Sequence, residues 1–396
     1  MNANLTNAAP HDSVPKKPGT GSGWLWARAY QARVGLSTPI VTVLDRSGRV
    51  LAEEQRAVIR YAVQEGSGAN IIFAAGTTGE WNRLDNPRRQ AVMRITVEEC
   101  ERLKRDGSVA EAWAGITAKT AAETVENLEY ALDIGADAAV VAPQSIVDTG
   151  DPIDFVARTI GGVFERHGRA LPIFLYDNAD IAAPDKAAHI SSGELRQMAR
   201  LSYVHGIKVT ANKEMFASYA RPPAYFKLGG GFAIYPGNAY LIFDLFKPWE
   251  GITGRVREYW CRYLGACTLP HGVVAGASNV MPREWQRAWQ VCRMGDVELM
   301  QRYERIMLSF REAAEFIRAG EIYKPVIACL KAALADLGVI SSDAVAAGTP
   351  ALEAAERREF LRRFRDIRRR AAVTLEPEWL SGWAARPVPM QARLDG

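Results

Sequence analysis

From residue 35 onward the sequence alternates short apolar, β-branched runs with longer stretches in which apolar residues recur at helical spacing. The runs at 36–43, 70–75, 110–116, 138–142, 172–176, 204–209, 224–228 and 272–275 predict strands. The stretches at 52–65, 87–105, 120–134, 153–166, 192–200, 213–220 and 238–246 predict the helices between them, and one more at 282–294 follows the last strand. Eight βα units in series imply a parallel sheet. Their number favours an α/β fold of the (β/α)8 TIM barrel type, with its functional site at the C-terminal ends of the strands. A doubly wound open sheet is the alternative for the same pattern.

Three segments exceed a minimal barrel. The stretch 247–270 holds Trp249, Trp260 and many charges between the seventh and eighth strands, and a connection of that length is usually functional or structured in its own right. In 297–337, Ile306, Phe310, Ala313, Ala314 and Ile317, then Val326, Ile327, Leu330 and Leu334, recur at helical spacing and predict a helical appendage on the barrel. After Gly348-Thr349-Pro350 comes a basic helix: residues 353–370 contain eight arginines against four acids. Such a helix can meet a nucleic acid or an anionic membrane. Phe360, Leu361, Phe364 and Ile367, however, form an apolar stripe, so docking on the same protein or a sister subunit is the expectation. The organisation expected is a flexible N-terminal extension at 1–32, a barrel at 33–296 with the 247–270 insertion, C-terminal helices at 297–340, and a basic helix and tail at 341–396. Trp24, Trp26, Trp379 and Trp383 are expected to fold the two extensions back onto the barrel or across a subunit interface.

Composition narrows the partners. With 396 residues, 48% hydrophobic and 24% charged, the chain has material for a large core, and a formal charge of +4 is too small to imply a polyanionic partner. Five cysteines without a CxxC pair read as reduced thiols and a cytoplasmic protein. No window approaches 18 apolar residues, so no membrane span is expected. His11, His167, His189, His205 and His271 make no HxH or HxxxH pair, and GxSxG is absent, so neither a metal site nor a serine hydrolase is expected.

The most informative side chain is Lys208, in Val204-His205-Gly206-Ile207-Lys208-Val209. A lysine at the end of an apolar central strand carries its amine to the barrel mouth, where desolvation disfavours the ammonium and favours a nucleophile able to form a Schiff base with a keto acid. A lysine salt-bridged at the rim is the competing reading. Tyr176 closes Pro172-Ile173-Phe174-Leu175-Tyr176 one unit earlier and can shuttle protons, or can simply pack with its hydroxyl in water. Gly76-Thr77-Thr78-Gly79-Glu80 follows the second strand, and its clustered amides and hydroxyls make a nest for a carboxylate or phosphate, or only a tight turn. Lys213 lies past its strand and Lys227 lacks the neighbouring motif, so both are weaker nucleophile candidates. Gly229-Gly230-Gly231 and Tyr235-Pro236-Gly237-Asn238 do not fit a dinucleotide fingerprint.

These pieces resemble the pyruvate-dependent class I aldolases typified by dihydrodipicolinate synthase and N-acetylneuraminate lyase. The resemblance rests on Gly76-Thr77-Thr78-Gly79-Glu80 with Leu84, Leu175-Tyr176, Gly206-Ile207-Lys208, and Gly276-Ala277-Ser278-Asn279-Val280-Met281-Pro282-Arg283, in register over about three quarters of the chain. It implies that Lys208 forms the Schiff base, that Tyr176 moves protons, and that Thr77 and Thr78, on a loop shaped by Gly76 and Gly79, hold the keto-acid carboxylate. It also makes Thr77 a link in the tyrosine hydroxyl relay. Trp81 and Asn82 can line the partner's pocket, although Trp81 can equally be packing. Asn279 can bind substrate or, as favoured here, cap the helix beginning near Pro282.

Two departures stand out. The synthases' second tyrosine, contributed across a dimer interface, has no counterpart in Ala142-Pro143-Gln144-Ser145-Ile146, and their second carboxylate-binding arginine is replaced by Ile181. Lysine-pathway synthase activity is therefore not expected. The expectation is a Schiff-base lyase or aldolase acting on pyruvate or another 2-oxo acid and an aldehyde, without cofactor, as a cytoplasmic homo-oligomer (dimer or tetramer). A 2-keto-3-deoxy sugar acid dehydratase is the alternative within the same chemistry, and a non-catalytic 2-oxo-acid-binding relative the alternative outside it.

Overall fold

The computed structural model describes residues 29–219, 231–247, 251, 252, 256 and 269–381. The strand expected at 224–228, Lys227, Trp24, Trp26, Trp249, Trp260, Trp383, His11 and most of the 247–270 insertion lie outside them.

Among the described residues eight strands form one parallel sheet: β1 (Gly35–Pro39), β2 (Ile71–Ala74), β3 (Glu111–Gly115), β4 (Ala138–Val141), β5 (Ile173–Asn178), β6 (Val204–Thr210), β7 (Ala233–Pro236) and β8 (Gly272–Val274). The order is β7-β6-β5-β4-β3-β2-β1-β8. The two ends meet where the His271 amide donates to the Ile234 carbonyl at 3.0 Å, while His271 in turn accepts from Gly35. The open-sheet alternative is thereby set aside.

Strand β7 is Phe232-flanked Ala233–Pro236, where the sequence pattern predicted no strand. Pro236 and Gly237 punctuate it, and Pro is tolerated there because it closes the strand. The aromatic interior explains the barrel's tight fit. Trp113 and Phe174 stack with centroids 3.9 Å apart, and Tyr235 meets both edge-on. Glycine on a neighbouring strand makes room: a Cβ on Gly206 would lie 2.8 Å from the Phe174 ring.

The surrounding helices are α1 (Ala52–Val63), α2 (Asn86–Arg105), α3 (Ala121–Asp133), α4 (Gly161–His167, entered through a π-helical stretch Phe155–Ile160), α5 (Ser192–Met198), α6 (Lys213–Tyr219), α7 (Leu241–Leu245) and α8 (Pro282–Met294). Polar side chains close several of their starts: the Asp85 and Thr120 side chains accept from backbone amides at α2 and α3, and Ser191 with Glu194 forms a capping box at α5.

The C-terminal region contains α9 (Val297–Ala313), a hairpin of β9 (Phe316–Arg318) and β10 (Glu321–Tyr323), α10 (Val326–Asp336) and α11 (Ala354–Thr374). The hairpin, turning at Ala319-Gly320, both with positive φ, stands between helices where the apolar spacing predicted helical structure alone, and it takes Ile317 into a strand. Helix α11 buries Phe360, Phe364 and Ile367, with Phe310 of α9 edge-on to both phenylalanines. Its arginines are largely engaged inside the chain: Arg357 with Asp343, Arg365 with Asp336, Arg362 and Arg363 with Glu359, and Arg369 and Arg370 with Asp366. Among the described residues no helix is long and apolar enough to cross a membrane.

Candidate active site

Strand β6 ends the climb of Lys208 to the barrel mouth, where its side chain is 7% exposed. In the β5/β6 register Lys208 is paired with Tyr176, itself 4% exposed. The lysine Nζ lies 3.7 Å from the centroid of the Tyr176 ring and 5.2 Å from that of Phe73. Lys208 makes no salt bridge among the described residues, which removes the rim ion pair as an account of it. The amine and the phenol are brought together on neighbouring strands by register alone.

The Tyr176 hydroxyl is the hub. It is within hydrogen-bond reach of Thr77 Oγ1 at 3.2 Å and accepts from Asn178 Nδ2 at 3.1 Å. Burial would raise the phenol's pKa, but the Lys208 charge together with hydrogen bonds to Thr210, Thr77 and Lys208 outweighs it and holds the phenol below the usual tyrosine value. Asn178 and Thr210 escaped the sequence reading. Both face each other across the β5/β6 register, two residues beyond Tyr176 and Lys208, a relation that alternation along either strand would have revealed once their pairing was known.

The loop 76–80 hangs between two left-handed residues, Ala75 (φ 52) and Glu80 (φ 61). Gly76 is required: a Cβ there would lie 2.7 Å from the Phe73 ring. Gly79 sits 3.1 Å, by the same measure, from the Ile40 carbonyl, and its own carbonyl accepts from Thr42 Oγ1 at 2.8 Å. Thr77 and Thr78 are half-buried, and neither of their amides nor the Thr78 hydroxyl has a partner among the described residues. That is a donor set suited to a carboxylate.

Glu80 anchors this loop from behind. Its side chain is fully buried, ion-paired with the fully buried Lys331 of α10, and it accepts from the Ala346 amide at 2.7 Å. Lys331 also donates to the Ala344 carbonyl at 2.8 Å. Burial pushes the Lys331 pKa down, with the Glu80 charge opposing. The loop that presents Thr77 and Thr78 is thus tied to the C-terminal region.

The remaining expected residues fall differently. Trp81 is 4% exposed, with its carbonyl held by Arg89 at 3.0 Å. Asn279 is fully buried and its amide is committed to backbone: Oδ1 accepts from Val41, and Nδ2 donates to Pro39 at 2.9 Å and Gly276 at 2.8 Å. It does not cap α8, whose first turn follows Met281 without a side-chain cap. Asn279 instead fastens the β8 turn to β1, and placing it as a substrate ligand is corrected on the same ground. Lys213, at the start of α6, is exposed and stands apart from this cluster. Where the synthases' tyrosine was missed, Gln144 and Ser145 are both 5% exposed, and Ile181 packs against the aromatic interior cluster that contains Tyr176. No group of three metal-ligating side chains occurs among the described residues.

Comparison with known proteins adds lineage to this geometry. The model of the dihydrodipicolinate synthetase family matches residues 32–144. A 4-hydroxy-tetrahydrodipicolinate synthase from Ralstonia nicotianae is 26% identical over 279 residues, covering 69% of this chain and 80% of that protein. A prophage protein of the dihydrodipicolinic acid synthase family from E. coli K12, solved in complex with pyruvate, superposes with a TM-score of 0.64 at 19% identity, over 84% of this chain and 98% of its own. A catalytic-lysine mutant of the Ruminococcus gnavus sialic acid aldolase does so with a TM-score of 0.65 at 14% identity, over 87% of this chain and 100% of its own. At those identities the two solved structures speak for the fold. Over residues 32–144 the chain is thus similar in sequence to the dihydrodipicolinate synthetase family, and over most of its length it shares the barrel of these solved structures.

Proposed function

We propose that this protein is a class I aldolase or lyase in which Lys208 forms a Schiff base with pyruvate or a related 2-oxo acid. The observation that carries the reading is the approach of the Lys208 amine to Tyr176, with Tyr176 in turn joined to Thr77 on a loop of unpartnered donors. The Thr77 and Thr78 donors hold the carboxylate. The amine attacks C2, the carbonyl oxygen leaves as water after two proton transfers, and an iminium remains. The Tyr176 phenolate takes a C3 proton to give the enamine, whose C3 bonds to the aldehyde carbon while the aldehyde oxygen takes that proton back from Tyr176. Water then hydrolyses the iminium, releasing a 4-hydroxy-2-oxo acid and the free amine. Cleavage is the same sequence reversed. In this reading Asn178 and Thr210 hold the phenol in place of the absent second tyrosine, so the relay is completed within one chain. The working form is taken as a cytoplasmic homo-oligomer.

Incubation with pyruvate and borohydride tests the proposal. A mass increase of one reduced pyruvate adduct at Lys208, lost in Lys208→Ala, is expected. Absence of an adduct across a series of 2-oxo acids would favour a non-catalytic binding protein.

A further inference from the structure

One apolar side chain lies against both halves of the proposed site. Phe73 is the third residue of β2, belongs to the aromatic interior cluster and is 2% exposed. It is in register with Pro39 of β1 and Trp113 of β3. The Lys208 Nζ lies 5.2 Å from the centroid of its ring. The same ring supports the root of the loop that carries Thr77 and Thr78. A Cβ on Gly76 would stand 2.7, 2.9 and 3.2 Å from three of its carbons, so the ring occupies the space that a side chain at 76 would need.

Both groups that Phe73 touches are constrained from elsewhere as well. The lysine stem passes Gly237, where a Cβ would stand 3.1 Å from Cε, and its Nζ lies 3.7 Å from the centroid of Tyr176. The loop is held from behind by the Glu80–Lys331 pair. Phe73 itself carries no donor, acceptor or titratable atom on its side chain, so it can take no part in proton transfer. What it can fix is how far the amine stands from the Thr77 and Thr78 donors. Reacting groups have to be held to within about 0.5 Å by neighbours that are themselves locked by packing, a condition that so deeply buried a ring meets.

We propose that Phe73 is a positioning residue that sets the spacing between the nucleophile and the carboxylate-binding loop, and with it the demand that the ketone carbon be bonded directly to the carboxyl carbon. The inference rests on the Schiff-base reading and deepens it. With its carboxylate on Thr77 and Thr78, a 2-oxo acid brings C2 to the amine. A 3-oxo acid of the same composition carries its ketone one carbon further along and misses it.

The test compares two isomers, 2-oxobutanoate and 3-oxobutanoate, by the rate at which borohydride traps each on Lys208. In both cases the amine and the ketone lose one water and borohydride delivers hydride to the iminium carbon. Trapping of pyruvate, run beside them, tests the Schiff-base reading. The wild type should trap the 2-oxo isomer about tenfold faster or more. Phe73→Leu should lower that ratio about tenfold, on the scale at which a misplacement of roughly 1 Å costs about a hundredfold. Phe73→Met, whose flexible chain fills irregular gaps in a core, should lower it as well. Comparing ratios between proteins cancels the intrinsic reactivity of the two ketones and any loss of folded protein, so a purely structural role leaves the ratio where it was. A pyruvate adduct accompanied by an unchanged ratio in the folded variants, or by equal trapping of the two isomers in the wild type, overturns this inference alone. Absence of the pyruvate adduct in the wild type overturns the Schiff-base reading and this one with it.

Discussion

At the scale of single residues, the phenol of Tyr176 is poised by donors that can be removed one at a time. Because Lys208 and the hydroxyls of Thr210 and Thr77 hold its pKa below the usual tyrosine value, removing one of those hydroxyls destabilises the phenolate and raises that pKa. Thr210→Val should therefore shift the alkaline limb of the kcat/KM profile to higher pH, and Thr77→Val should do the same while also raising the KM for the 2-oxo acid. A limb that stays in place would show that another group governs it. Gly237→Ala offers a steric counterpart. Its Cβ would approach Lys208 Cε to 3.1 Å and come too close to Thr210 Oγ1, so adduct formation should slow markedly while thermal stability changes much less. The neighbouring places of Tyr176 and Lys208 were legible in the sequence because each is a polar group near the end of an apolar strand. Asn178 and Thr210 were not, because they meet only when β5 and β6 lie side by side.

At the scale of elements, the Thr77-Thr78 loop depends on a helix more than 240 residues away. A fully buried ion pair adds little over an apolar pair of the same shape, but removing one partner strands the other charge. Lys331→Met should thus cost about 3–5 kcal/mol in chemical denaturation, and Glu80→Gln combined with Lys331→Met should recover part of it. In the surviving folded fraction, weaker 2-oxo-acid binding is expected as well, since Glu80 closes the loop. The sequence carried a signal for this tie, a single lysine within the apolar run Val326-Ile327-Ala328-Cys329-Leu330-Lys331-Ala332, but its partner was decided by tertiary contact. Helix α8 was read at its true bounds because Pro282 and Gly295 mark both ends. The β9–β10 hairpin escaped because Ile317, though exposed, continues the helical spacing of Ile306, Phe310, Ala313 and Ala314.

At the scale of the whole molecule, the end of the barrel opposite Lys208 is filled by an acid and its aromatic donors. Tyr30 donates to Glu111 at 2.6 Å, Trp113 donates to the same oxygen at 2.9 Å, and the Tyr30 ring meets His205 and Phe174 edge-on. Burial, reinforced by the Asp137 charge, pushes the Glu111 carboxyl up to about 7, with Tyr30, Trp113 and Arg33 opposing. A carboxyl whose folded pKa exceeds its unfolded value of 4.5 favours the fold fully below that value, and the contribution is lost as pH rises through about 7. Thermal melts should show the native protein losing stability between pH 5 and pH 8, and Glu111→Gln should flatten that dependence. A parallel decline in both proteins would assign the effect elsewhere.

That aromatic floor also governs traffic. Filled at its base by that packing, the barrel leaves the C-terminal ends of β5 and β6, where Tyr176 and Lys208 pair, as the side from which substrates reach the amine. On the proposed chemistry the molecule bound deepest must arrive first and leave last, so two-substrate kinetics should be ordered, with the 2-oxo acid leading and the aldehyde following.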